Sequence, residues 1–466
     1  MKRLRLPLSI VHFLLLILLL YGTGFVYAQA ETAESVLTQV AELLSASKYN
    51  EAIALFDVIP PPEKDSSNIK LLKASVLSSA GKYTEARAIA EAVAAAEPQN
   101  TEPLFVLASI EAVSGRQRQQ QTALEKIIKL QPGNTEALIA LGNVSLQSRA
   151  IRAAASYFHQ VLLKEPQNAE ALIGMSRAYR MNTEWEYAED LLNEVVKLYP
   201  DMVEARTERG RFYWGRGFLL QALADYDEAK RLAGNDYWIA LDRGSLLLEM
   251  NRRSQALEEF NRAIKINPAE YRAYAYSAGL KDDLGDLDGA ERDYAILAKL
   301  KPDYYFALEG LGLHKMKNAK WAEARDAFVE AYRQAPNEHY YGLLAAINHM
   351  RADNRPESLA NARTLLAQIQ AKVTRDTLLW YMVRLFYDFT SRNYLGENDM
   401  ITRIERTTDQ TLKARMMFYM ALYYEVRGNA STANMYYQFV AETKVQTIPE
   451  WRLNEWILAD RGLKTN

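Results

Sequence analysis

Pro132-Gly133-Asn134-Thr135-Glu136 is nearly repeated by Pro166-Gln167-Asn168-Ala169-Glu170, and both match Pro98-Gln99-Asn100-Thr101-Glu102. The three segments stand 34 residues apart. Working outward, Pro200, Pro268, Pro302 and Pro336 keep the same spacing, with Gly234 in the gap. A second comb carries Ala52, Ala86, Ala154, Ala188, Ala222, Ala256, Ala290 and Ala324, and only Gln120 interrupts it. Two residue types locked to one period mark a tandem array, in which each repeat is a small unit that must stack on its neighbours.

The period resolves into helix pairs. Tyr213, Ala222, Tyr226 and Ala229 show helical spacing, and Gly217 breaks the pattern between two runs. Each run holds about a dozen residues, too short to be stable alone but suited to packing against a partner. Gly81, Gly115, Gly217 and Gly285 share the turn column, where a left-handed residue ends a helix cheaply. The prolines stop the second helix, since proline cannot continue the hydrogen-bond ladder. Asn100, Asn134 and Asn168 are placed to cap the next helix, and Glu102, Glu136, Glu170 and Glu204 fall in first turns, where the helix dipole favours negative charge. Small residues at Gly142, Gly210, Gly244 and Gly312 stand opposite the alanine column. Phe158, Tyr226, Phe260, Tyr294 and Phe328 are expected to fill the space between adjacent pairs.

Length and composition agree with such an array. A chain of 466 residues exceeds a single core, but stacked repeats escape that limit. Lys2, Arg3 and Arg5 are the only charges in the first thirty residues, which leaves 53 basic against 58 acidic side chains in the rest. With no basic run, nucleic acid is not an expected partner. Residues 1–30 read as a signal peptide: a basic start, an apolar stretch from Leu6 to Val26, then Ala28-Gln29-Ala30. The expectation is export to a bacterial periplasm, with an uncleaved inner-membrane anchor as the alternative and no transmembrane segment after cleavage. The chain has no cysteine, so no disulfide holds it together, which also leans towards a periplasm.

At the small, aromatic and helix-ending proline columns the chain resembles the tetratricopeptide repeat proteins. The resemblance implies an all-α, right-handed superhelical solenoid of antiparallel helix pairs, with a concave groove lined by the first helix of each pair. The expected organisation is a regular array of about nine repeats over 31–338, degenerate pairs over 339–408, a further repeat over 409–445, and a capping helix over 446–466. Mapped onto the family's groove columns, Arg177, Arg180 and Arg211 stand beside Trp214, and Trp238, Leu241, Phe306, Met316 and Tyr340 follow. The groove is therefore expected to be basic in the middle and increasingly apolar towards the C-terminus, unless the C-terminal helix folds back over it. The lysine-and-asparagine clamp of chaperone-binding members is absent: Ile139 holds the lysine place and Gly174 an asparagine place.

Little chain remains for catalysis. His159, His314, His339 and His349 lack metal-ligand spacing, and no serine stands in a nucleophile-elbow setting. Asp282, Asp283, Asp286 and Asp288 surround Gly285 without a calcium loop's further ligands, and read as a solvated turn. No catalytic residue, metal or cofactor is expected. The leading expectation is a non-enzymatic periplasmic scaffold that binds another envelope protein or peptide in its groove. The alternative is a docking subunit for a small hydrophobic ligand, serving a transporter or an envelope assembly machine. The C-terminal half is also a candidate for self-association into a homo-oligomer.

Overall fold

A computed structural model describes residues 33–352, 355–391 and 396–463. The signal peptide expected over residues 1–30 lies outside the described residues. Among the described residues every regular element is helical, with no strand. No described helix is long and apolar enough to cross a membrane. The chain divides into two units, the first ending at Glu208 and the second starting at Arg209.

Unit one stacks the pairs α1 (Ala33–Ser45) and α2 (Tyr49–Leu55), α3 (Ser67–Ser79) and α4 (Tyr83–Ala96), α5 (Glu102–Val113) and α6 (Gln117–Leu130), α7 (Thr135–Gln147) and α8 (Ile151–Lys164), and α9 (Ala169–Met181) and α10 (Trp185–Leu198). The division then falls inside α11 (Val203–Gly215). Unit two continues with α12 (Leu219–Leu232) and the pairs α13 (Tyr237–Glu249) and α14 (Arg253–Ile266), α15 (Tyr271–Leu284) and α16 (Leu287–Leu300), and α17 (Tyr305–Lys317) and α18 (Trp321–Gln334). Less regular elements follow: α19 (His339–Ala352), α20 (Pro356–Lys372), α21 (Leu378–Phe389), α22 (Glu397–Arg406), α23 (Gln410–Val426), α24 (Ala430–Glu442) and α25 (Pro449–Asp460).

The repeat columns have identifiable structural work. All eight comb alanines are fully buried, because a larger side chain there would push the paired helices apart, whereas Gln120 is only half-buried. Two of the three expected asparagine caps form, with Asn134 accepting from the Ala137 amide and Asn168 from the Ala171 amide, each at 3.0 Å, whereas Asn100 precedes the cap residue Thr101 and accepts from the Glu102 amide at 2.9 Å. The turn column is longer than its glycines suggested. Ser47, Arg149, Thr183, Asn251 and Ala319 also adopt positive φ, between 54° and 64°, and interleave with Gly81, Gly115, Gly217 and Gly285 at one every 34 residues. The repeat imposes the left-handed turn even where a Cβ makes it costly.

Three of the four first-helix glycines serve a neighbour other than the alanine column, whereas a Cβ on Gly210 would meet both Tyr226 at 3.3 Å and the Ala222 carbonyl oxygen at 3.5 Å. A Cβ on Gly142 would lie 2.6 Å from the ring of Phe158, one on Gly244 2.8 Å from Phe260, and one on Gly312 2.7 Å from Phe328. In each case the ring sits on the second helix of the same pair, 16 residues on, and is fully buried. Glycine thus makes the socket that seats the aromatic side chain.

Candidate partner-binding face

The first helices of unit one bring Glu102, Glu136, Glu170 and Glu204 to corresponding exposed positions. Burial, followed by the charge of Glu170, holds the Glu136 carboxyl above its ordinary range. Arg177 reaches from α9 to two carboxylates on α11, with its Nη2 donating to Glu204 at 3.0 Å and its Nε to Glu208 at 3.1 Å. Arg180 lies half-buried on the same helix. The expected basic stretch is therefore corrected here: Arg177 is consumed by internal pairing, and the exposed ladder is acidic. Arginine's fork geometry lets one guanidinium bind two carboxylates, which a count of charges along the sequence does not reveal.

In unit two Arg211 is likewise paired, donating from Nη2 to Asp242 at 2.7 Å. The Trp214 indole donates to Glu249 at 2.5 Å, and its ring stands edge-on to Tyr226. Trp238 is 45% exposed, and the Arg272 guanidinium sits 5.2 Å from its ring centroid. Phe306 is 51% exposed, beside Tyr304 and Tyr305. These aromatics remain on the surface.

Leu241 and Met316, expected in the groove, are instead buried core residues. Leu241 packs with Ala222, Tyr237 and Phe260. Met316 is covered by the end of the chain, because α25 packs on α17 and α23 packs on α19. Tyr340 is half-buried beneath the same cover: it stacks on Tyr419 with ring centroids 5.9 Å apart, and Arg415 lies 4.2 Å over its ring. The stripe read from sequence is thus two regions, an open one carrying Trp214, Trp238 and Phe306, and a closed one occupied by the chain's own helices.

Polar contacts fix that closure. Arg452 on α25 donates to Asp282 at 2.9 Å and to Asp283 at 3.0 Å. Asp282 also accepts from the Tyr294 hydroxyl at 3.0 Å and lies 2.7 Å from the Nε2 of His314. The side chains of Asp282 and His314 are 2% and 1% exposed, which corrects the reading of Asp282 as part of a solvated turn. Trp456 packs on the His314 ring at 4.7 Å, and Lys317 pairs with Asp460 at 3.5 Å. Further along, Glu450 is buried between Arg415 and the Tyr419 hydroxyl. Sequence held no signal for Asp282 with Arg452, which are 170 residues apart. Asp282 and His314 fall on first helices of successive repeats, so their pairing could have been sought from the period.

Between the exposed and closed regions lies an open cleft of about 810 Å³, walled by Tyr304, Phe306 and Trp451 and carrying four carboxylates: Asp282, Asp283, Glu309 and Glu455. It is neither closed nor apolar, so it lacks the enclosed cavity that a small hydrophobic ligand requires. Among the described residues, no group of three or more histidine, aspartate and glutamate side chains is placed to hold a metal ion.

Comparison with known proteins matches residues 145–207, 241–305 and 278–339 to models of the tetratricopeptide repeat. The chain is 33% identical over 116 residues to human Superkiller complex protein 3, a match covering 24% of this chain and 7% of that protein. It is 30% identical over 122 residues to a tetratricopeptide repeat and J domain-containing co-chaperone of Fusarium oxysporum f. sp. lycopersici, covering 25% of this chain and 23% of that one. The matched span is therefore less than a quarter of either relative's length. Among solved structures, a tetratricopeptide repeat protein from Parabacteroides merdae aligns with 16% identity and a TM-score of 0.44, over 52% of this chain and 96% of that one. The chain carries tetratricopeptide repeats.

Proposed function

We propose that this protein is a non-enzymatic scaffold that binds a protein segment on the open first-helix face of unit two, working in the cell envelope after export. Tetratricopeptide repeats are interaction modules, typically without chemistry of their own. The observation that carries the reading is the contrast along one face: the later apolar side chains are covered by the chain itself, while Trp214, Trp238 and Phe306 stay accessible. Exposed tryptophans of this kind are enriched at interface hot spots. Asp242 and Glu249 hold Arg211 and Trp214 in place, so part of the face is ordered before a partner arrives. An extended peptide or a partner helix fits a surface whose contacts recur from helix to helix.

The test is a crosslinked pull-down from envelope fractions of the native host with wild type and the Trp214→Ala/Trp238→Ala double variant. Both rings are at least partly exposed, so the variant should fold. Loss of specific partners is expected; unchanged recovery would place the binding surface elsewhere. Fractionation of the host checks the envelope assignment separately.

A further inference from the structure

The cleft beside α25 carries negative charge that this chain does not neutralise. Of its four carboxylates, Asp282 and Asp283 are paired by Arg452, and Arg253 lies 3.8 Å from Asp283. Glu309 has no ion pair among the described residues, and its polar partner is the neutral Tyr341 hydroxyl. Glu455 lines the same cleft and has no ion pair among the described residues. Arg415, whose charge reaches Glu309, is already held by Glu450 and the Tyr340 ring. Glu309 thus lines the cleft with a neutral partner alone, and a cation that donates hydrogen bonds would add the charge pairing that Tyr341 does not supply.

The walls specify the kind of cation. Tyr304, Phe306 and Trp451 present aromatic surface to the same space. Aromatic faces attract ammonium and guanidinium groups and also accept the alkyl stem that carries them, whereas a hydrated metal ion gains little from them. The geometry points to a binding site for an alkylammonium group in this cleft, with Glu309 and Glu455 taking the charged head and Phe306 and Trp451 flanking the stem. The same chemistry is offered by a lysine side chain of a bound segment and by a free polyamine. Burial holds the Glu309 carboxyl above its ordinary range, so affinity should weaken as the solution is acidified towards that range. The site is separate from Trp214 and Trp238, and its failure would leave partner capture by those residues untouched.

The experiment measures thermal midpoints of the full chain at neutral pH and constant ionic strength. The additions are spermidine, the peptide acetyl-Gly-Lys-Gly-amide, the same peptide acetylated on its lysine, and magnesium chloride. A ligand that binds only the folded state raises the midpoint with its concentration. Spermidine or the lysyl peptide should raise it, while the acetylated peptide and magnesium should not. Response to the peptide alone identifies a lysine source, and response to spermidine a free amine. In the Glu309→Gln/Glu455→Gln variant the apparent affinity should drop by about tenfold or more, as expected for lost charge-assisted hydrogen bonds. Phe306→Ala, at an exposed ring, provides a second variant that should weaken binding without threatening the fold. No response to either amine, or equal responses in wild type and both variants, overturns the assignment.

Discussion

The apolar clusters of unit one are short in sequence: Leu104 belongs with residues as far as Val144, and Leu138 with residues as far as Met175. In unit two one buried cluster runs from Leu313 to Leu458. The first behaves as a ladder in which each pair leans on the next, and its stability should be close to a sum of neighbour terms. The second is tied shut by α23 and α25, so helices far apart in the chain share one core. One chain therefore supports two kinds of cooperativity, and the difference comes from where its last, less regular helices pack.

The largest expected effect tests that closure. Leu453 on α25 is fully buried, and Leu453→Ala should cost ~2–5 kcal/mol through lost packing and a residual cavity. Hydrogen exchange should then rise at Leu313–Met316 and Leu343–Ile347 but stay unchanged at Ala86–Val93 in unit one. Equal acceleration in both units would show that the ladder and the closed core are one cooperative block.

Next comes the polar seal. Arg452→Ala takes the guanidinium from Asp282, whose side chain is almost fully buried, and should cost about 1–3 kcal/mol. The figure is kept below that of a fully buried pair because Arg452 is itself 41% exposed. The unit-one counterpart is Arg177→Ala, where Glu204 is already half in solvent and Glu208 is buried; about 1 kcal/mol is expected. Urea titrations of the two variants compare them. A larger loss for Arg177 would reverse the ranking of the two faces.

A smaller effect should be shared by both units, because the turn between paired helices is local chemistry. Arg149 in unit one and Ala319 in unit two hold φ of 59° and 54°, a conformation glycine adopts freely. Arg149→Gly and Ala319→Gly should each stabilise by about 0.5–1 kcal/mol, after the extra entropy of glycine in the unfolded chain is set against the relieved strain. A destabilised thermal midpoint in either would mean that side-chain contacts of the native residue outweigh its backbone cost.

What the sequence made legible follows the same division. The period exposed the helix pairs, the buried alanine column, the caps at Asn134 and Asn168 and the helix-ending prolines, because each is a requirement of one repeat on itself or its neighbour. It revealed the turn column only in part, since Arg149, Thr183 and Ala319 occupy a glycine conformation without being glycine. The groove residues were less readable. A first-helix position says which way a side chain points, but not whether something covers it: Met316 and Tyr340 lie under the chain's own C-terminal helices, while Trp238 and Phe306 do not. Leu241 failed for a nearer reason, being drawn into the contact between neighbouring pairs with Ala222 and Phe260. Arg177 and Arg211 misled because their carboxylate partners sit on the next repeat's first helix, 27 to 31 residues away.

The finest distinction between the two faces is electrostatic, and acidity separates it. Burial raises the Glu309 carboxyl in unit two; the Tyr341 bond opposes the shift and the charge of Glu450 adds to it. The folded chain thus holds this proton more tightly than the unfolded chain does. Its contribution to stability is full below the ordinary glutamate range and is lost as pH rises through the elevated folded value. Glu309→Gln removes the ionisation while leaving an oxygen to accept from Tyr341, so the variant should be more stable than wild type at pH 7 by on the order of 0.5 kcal/mol. Near pH 4 the two should converge. Glu136 in unit one is raised in the same direction by burial and by Glu170, yet its side chain lies on an exposed face. Glu136→Gln should therefore share the sign and show a smaller gain, because solvent screens its repulsion from Glu170. Urea midpoints of both variants at the two pH values decide the matter. A gain for Glu309→Gln that persists undiminished at pH 4 would assign it to packing instead of charge, and a larger gain at Glu136 would make the open face the more strained of the two.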